Sequence, residues 1–175
     1  SSAPRLVLDA DALNALAADP MLRTLQRARA GRGAATVLTP HPLEAARLLG
    51  CSAAEVQADR LAAAQSLAET LRASVVLKGS GSIVAATGHL PWINRSGNAA
   101  LASAGSGDVL AGWIAGAWAA AGGGADTLTL QALCADVVAR HGRAADHHGS
   151  GSALRAGRLV DAMLAASSPR GVSPH

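Results

Sequence analysis

Three short runs rich in branched residues most constrain this 175-residue chain: Arg5-Leu-Val-Leu-Asp9, Ala35-Thr-Val-Leu-Thr39 and Ser74-Val-Val-Leu-Lys78. By length, branching and flanking turn residues, each reads as a buried strand. Between them lie helical patterns: Asp11 to Ala18, Met21 to Ala30, Leu43 to Leu49, and a run that the capping box Ser52-Ala-Ala-Glu55 opens and that reaches about Arg72. Strand, helix, strand, helix, strand predicts an α/β fold with a parallel sheet and crossover helices. Such sheets bind ligands at the carboxyl ends of their strands. Those ends carry Asp9 and Asp11, then His41 and Glu44, then Lys78.

The pattern then changes. Ser82 to Ala86 and Leu90 to Ile93 form an expected hairpin about Gly88-His89. Asn94 to Gly107 is a small-residue loop with room for one helical turn. Asp108 to Ala121 is apolar on every face and predicts a buried helix, with Gly112 and Gly116 allowing close approach to another element. A long helix starts at Asp126 and reaches about Ala145, and a last one covers Arg158 to Ala166. No repeat or linker divides the chain, so residues 1–167 read as one unit and 168–175 as a disordered tail.

Composition excludes several classes. Half the residues are hydrophobic and 15% are charged, which excludes wholesale disorder. A net charge of +3 without charge blocks argues against nucleic acid. The longest uncharged run, Val109 to Ala125, is short for a membrane span and broken by glycines. Cys51 and Cys134 stand far apart, outside metal-ligand spacing, and predict a reducing, cytoplasmic setting. Fourteen of fifteen basic residues are Arg, which singles out the one lysine, Lys78, and two of the three Asn, Asn94 and Asn98, share one loop. Trp92, Trp113 and Trp118 read as core or interface residues. His141, His147 and His148 with Asp136 and Asp146 lack the spacing of a helical zinc pair and read as a solvated helix end.

Three segments carry candidate chemistry. In Ala104-Gly105-Ser106-Gly107-Asp108-Val109-Leu110, small residues precede a helix whose first N–H groups lack internal partners. With the helix dipole they make a socket for phosphate or for charge developing in phosphoryl transfer. Asp108 at its mouth either caps the helix or takes a proton from an attacking hydroxyl. Lys78-Gly79-Ser80-Gly81-Ser82 is either an ordinary hairpin turn or a backbone cradle for phosphate, and neither a Walker loop nor a dinucleotide fingerprint occurs. In Thr39-Pro40-His41-Pro42-Leu43-Glu44, His41 is a turn residue or a ligand contact, and Glu44 favours the helix dipole or holds Mg²⁺ through water.

Four segments occur in an order that resembles a known family. They are Val7-Leu-Asp-Ala-Asp-Ala-Leu-Asn14, Leu38-Thr-Pro-His-Pro-Leu-Glu44, Val75-Val-Leu-Lys-Gly79, and Gly97-Asn98 followed by Leu101-Ala-Ser-Ala-Gly-Ser-Gly-Asp-Val-Leu-Ala-Gly112. They resemble the ADP-dependent NAD(P)H-hydrate dehydratases, a branch of the ribokinase-like superfamily. The resemblance implies an α/β, three-layer ribokinase-like architecture, incomplete at the amino terminus. It implies repair of hydrated NADH or NADPH: ADP phosphorylates the ring hydroxyl, phosphate is eliminated, and AMP, phosphate and restored cofactor result. It implies Asp108 as the base, and backbone groups of Gly105, Ser106 and Gly107 as stabilisers of the transferred phosphoryl. Lys78, Gly79, Ser80, Gly81 and Ser82, with Asn98 and Gly107, would hold adenine nucleotide. His41 and Asp108 would contact the hydrated dinucleotide, and Glu44 would help position Mg²⁺. A homo-oligomeric state is a further expectation.

Two departures from the family pattern stand out. Gly97-Asn98-Ala99-Ala100 replaces the family's usual Gly-Asn-Pro-Gly, which changes loop stiffness. The family's domain is also longer, so this chain is expected to be the carboxyl-terminal part of one, without its amino-terminal strands or the epimerase domain of many relatives. By itself it would bind adenine nucleotide weakly and lack full activity. The rival readings are an ATP-dependent ribokinase-like kinase of a vitamin precursor or sugar, and a non-catalytic nucleotide-binding fragment.

Overall fold

A computed structural model describes residues 3–122 and 126–167. The expectation of a disordered tail over 168–175 lies outside the described residues. Among the described residues, five strands form one mixed sheet in sequential order. β1 (Arg5–Leu8), β2 (Ala35–Leu38) and β3 (Ser74–Leu77) run parallel, with Leu8 opposite Leu38 and Leu38 opposite Val75. β4 (Ile83–Ala86) and β5 (His89–Ile93) continue it antiparallel, as the hairpin requires.

Period-two alternation splits the core into two layers. Leu38, Val75 and Leu77 face one side, where α1 (Asp11–Ala18), α3 (Pro42–Leu49), α4 (Ala53–Ala58) and α5 (Arg60–Leu71) pack. The first crossover also contains α2 (Pro20–Ala30). Val37, Val76 and Val84 face the other side, under α6 (Ser106–Ala120), α7 (Thr127–His148) and α8 (Ala156–Ser167). Leu13, Leu67, Ile114 and Leu159 are fully buried, each worth about 1.5–3 kcal/mol of hydrophobic stabilisation. The three layers are those of an α/β fold.

Several expectations need correction. The helix expected from the Ser52 capping box to Arg72 breaks at Asp59, whose carboxylate accepts from the Ala62 N–H and starts α5 anew. A helix was expected from Asp108, but α6 begins two residues earlier, because Gly105 rather than Asp108 is its N-cap. Nor is α6 buried all round. Leu110, Ile114 and Trp118 face the core, while Gly112, Ala115, Gly116 and Ala119 lie exposed. Apolar composition shows that a face can be covered, not that anything covers it. α7 runs on to His148, and His141 is buried among Val137, Val138 and Ala145 rather than solvated. The helical turn expected in the loop is a 3₁₀ turn at Ala99–Leu101. Among the described residues, no helix is long and apolar enough to cross a membrane.

Candidate active site

The parallel register brings three polar strand ends side by side. The Thr39 N–H donates to the Leu8 carbonyl at 3.1 Å, and the Lys78 N–H to the Pro40 carbonyl at 2.8 Å. Lys78 Nζ then reaches across β2 to Asp9 Oδ1 at 2.7 Å, with both side chains largely buried. Partial burial strengthens such a charge-assisted bond relative to a surface pair.

The amino end of α6 stands beside this pair. Gly105 has φ 82°, a left-handed turn that glycine adopts without penalty. The Ser106 hydroxyl donates to the Leu101 carbonyl at 2.7 Å and pins the first helical residue. A Cβ on Gly107 would lie 3.3 Å from Lys78 Nζ, so a side chain there would crowd the amine. Asp108 is the third residue of the helix, exposed, and caps nothing. Among the described residues it meets no hydrogen-bond donor, which leaves its carboxylate free to accept a proton.

A cavity of about 430 Å³ opens beside Gly107. Its walls are the Lys78–Ser82 loop, the Asn94–Ala102 segment, Ser106, Gly107, Leu110, Val138 and His141. The second wall is seated on α7. Asn98 Nδ2 donates to the Ala145 carbonyl at 2.8 Å, and its Oδ1 accepts from the Ala100 N–H at 2.9 Å. The Gly97 N–H donates to Asp146 Oδ2 at 2.9 Å, and the Ser96 hydroxyl to the Ala139 carbonyl at 3.0 Å. Asn98 thus lines the cavity while its amide holds the loop in place.

His141 Nε2 lies 3.0 Å from the Ser106 carbonyl, so that nitrogen carries the hydrogen. Burial pushes the imidazole below its ordinary value of 6.5 and keeps it neutral, against a smaller opposing effect of the Ser106 bond. In the window below that ordinary value, the unfolded chain takes up a proton that the native chain refuses. Stability from this group therefore falls as pH falls through the window. His141→Gln is expected to flatten that part of the profile. Urea midpoints on either side of the window check it, and an unchanged slope would show that the imidazole does not drive it.

His41 and Glu44 follow β2 but do not line the cavity. His41 Nδ1 accepts from the Leu43 and Glu44 N–H groups at 3.1 and 3.3 Å, and Glu44 Oε2 accepts from the His41 N–H at 2.7 Å. This capping box fixes the imidazole hydrogen on Nε2, on a side chain that is 46% exposed, whereas Glu44 is buried.

The expected residues therefore fall into neighbouring groups. Gly105, Ser106, Gly107, Asp108 and Lys78 meet at the start of α6; Lys78 to Ser82, Asn98 and Gly107 share the cavity; His41 and Glu44 stand apart at the end of β2. Arg60 and His141 are site neighbours to which the sequence reading gave no role in the site, and Asp9, read there only as a polar strand end, holds the Lys78 amine. His141 had a usable signal, since Cys134, Val137, Val138, His141 and Ala145 recur at helical spacing on one face of α7. Cys134 is no nucleophile, because burial pushes its thiol up to about 12.

Comparison with known proteins identifies the family. The sequence model of the NAD(P)H-hydrate dehydratase family matches residues 1–163. The ADP-dependent (S)-NAD(P)H-hydrate dehydratase of Neisseria meningitidis is 46% identical over 155 residues, covering 89% of this chain and 49% of that protein. The ADP/ATP-dependent NAD(P)H-hydrate dehydratase of Bacillus subtilis, co-crystallised with ATP/Mg²⁺, superposes with a TM-score of 0.69 at 28% identity, covering 92% of this chain and 53% of that one. A ribokinase-like superfamily protein of Enterococcus faecalis shares the fold, with a TM-score of 0.68 at 23% identity. The chain spans about half the length of these relatives. By its motifs, its fold and the match over residues 1–163, the chain belongs to the NAD(P)H-hydrate dehydratase family.

Proposed function

We propose that this chain supplies the phosphoryl-transfer site of an ADP-dependent NAD(P)H-hydrate dehydratase. The observation that carries the reading is the placement of Gly107. Gly107 lines the cavity with the Lys78–Ser82 loop, and the next residue, Asp108, is exposed and lies outside that lining. Adenine nucleotide occupies the cavity, against Lys78, Gly79, Ser80, Gly81, Ser82 and Asn98. Hydrated NADH or NADPH lies beyond, against His41 Nε2–H and Asp108.

Asp108 accepts the proton of the ring hydroxyl, and that oxygen attacks the β-phosphorus of ADP. The bond to the α-phosphate breaks and AMP departs. The N–H groups of Gly105 and Gly107, with Lys78, face the charge that develops, while the Ser106 N–H is held by the Ser103 carbonyl. Asp9 holds the lysine amine in place. Phosphate then leaves the ring carbon with the bonding electrons, assisted by the ring nitrogen, and loss of a proton restores the dihydropyridine.

Magnesium is the usual companion of a polyphosphate, but Glu44 does not fit as its ligand. Its carboxylate is buried and already accepts from the His41 N–H. Among the described residues, no group of three or more His, Cys, Asp or Glu could hold a metal ion. Glu44 acts instead by holding His41. The reading places the protein in the cytoplasm, in keeping with its free cysteines.

The test is product analysis with hydrated NADH, ADP and Mg²⁺. AMP, phosphate and the returning near-ultraviolet absorbance of reduced nicotinamide, in equal amounts, are the expected products. ADP formed from ATP together with a phosphorylated small molecule would establish a kinase. Nucleotide uptake without any product would leave a binding fragment.

A further inference from the structure

Arg60 opens α5, on the opposite side of the Lys78–Ser82 loop from Gly107. Its Nη1 donates to the Ser80 carbonyl, and its Nη2 lies 3.3 Å from both the Leu77 and Lys78 carbonyls. The Gly79 carbonyl accepts from the Ser82 hydroxyl at 3.1 Å. Every carbonyl from 77 to 80 is thus occupied. The amides of Gly79, Ser80, Gly81 and Ser82 have no acceptor among the described residues, and these residues wall the cavity. Successive free amides on one concave wall make a site for an anion.

The charge of Arg60 points the same way. No carboxylate lies within ion-pair distance of its guanidinium among the described residues, and its Nε is buried without a partner. The neighbouring Asp59 is committed to the Ala62 N–H. Burial lowers the guanidinium below its ordinary value, which marks the cost of holding the charge there. A desolvated charge calls for a counter-charge. Carbonyl dipoles supply part of one, and a phosphate on the far side of the loop supplies the rest. Gly79 is part of the arrangement, since a Cβ there would lie 2.8 Å from Nη2.

We infer that Arg60 is the positioning residue of the nucleotide site: it locks the Leu77, Lys78 and Ser80 carbonyls from behind, so that the free amides of the loop face the cavity, and its charge is balanced by a phosphate of the bound nucleotide. The inference rests on the proposed function for the identity of that anion.

Two measurements on this chain test it: ¹⁵N order parameters of Gly79 to Ser82 without nucleotide, and ADP affinity by calorimetry. In the wild type the four amides are expected to be rigid, near 0.85, and in Arg60→Met to fall below about 0.6 while α5 stays rigid. ADP affinity is expected to fall at least about tenfold in Arg60→Met, and Arg60→Lys to regain part of it through the retained charge. If Arg60→Met does not fold, Arg60→Gln provides the same test, because it removes the charge and the reach to the loop carbonyls while keeping a helix-forming residue at the start of α5. Order parameters that stay rigid in the variant would overturn the positioning role. ADP affinity within about twofold of wild type would overturn the anion-balancing role. A wild-type chain that takes up no ADP would defeat the proposed function, and the relaxation data would still judge Arg60.

Discussion

Asp108→Asn is expected to lower turnover by at least about a hundredfold, the range of a lost general base, while ADP affinity stays within about twofold. Asparagine keeps the size of the side chain and cannot accept the proton. The fold is expected to survive, because Asp108 caps nothing and is exposed. Its only structural contribution is a favourable charge in the first turn of α6, worth about 0.3–1 kcal/mol. Binding and chemistry should therefore separate in calorimetry and single-turnover assays. Turnover within tenfold of wild type would remove Asp108 from the role of base and leave the socket without its proton acceptor.

Gly142→Ala is expected to have the largest effect on stability. A Cβ at Gly142 would lie 2.7 Å from both the carbonyl carbon and the oxygen of Ser96. These are backbone atoms, already held by bonds from Ser96 to Asn94 and Ala139, so they cannot swing aside. The 94–98 segment must lift from α7, at about 1–3 kcal/mol for an overpacked contact. That segment walls the cavity, so ADP affinity should fall with it, by at least about tenfold. Gly112→Ala is the internal contrast. Its Cβ meets nothing within 4 Å on the open face of α6, and the change is expected to stabilise by about 0.4–1 kcal/mol. Thermal melts of both variants with and without ADP give the answer. Equal behaviour of the two would mean that the loop does not rest on Gly142.

The legible parts of the fold and site were those written in local sequence. Branched four-residue runs marked β1 to β3, a Gly-rich turn at the end of β3 marked the Lys78 loop, and small residues ahead of α6 marked the Gly105 loop. What stayed hidden depends on distant partners. Arg60 joins its loop across a gap of seventeen to twenty residues, and His141 meets Ser106 across thirty-five. The reach of Arg60 leaves no periodic trace in the sequence, and the spacing around His141 marks its burial but not its partner. The break at Asp59 was hidden for another reason. Residues on both sides of it favour helix, and only the competing cap at Ala62 separates α4 from α5. Glu44 shows the reverse difficulty, a carboxylate that suited a metal by chemistry and was spent on a capping box by geometry.

The bare α-carbon of Gly107 also bears on how such a site can change over time. It lines the cavity, whereas its chain neighbour Asp108 lies outside the lining. Residues 79–82 and 94–102, with Val138, surround the cavity, while Asp9, His41 and Asp108 stand beyond it. Substitutions that refit the phosphoryl donor can accumulate on the first set without disturbing the second, and the converse also holds. On the proposed function, donor preference and acceptor preference would then be separately heritable, with Gly107 and Lys78 the positions where the two histories must agree.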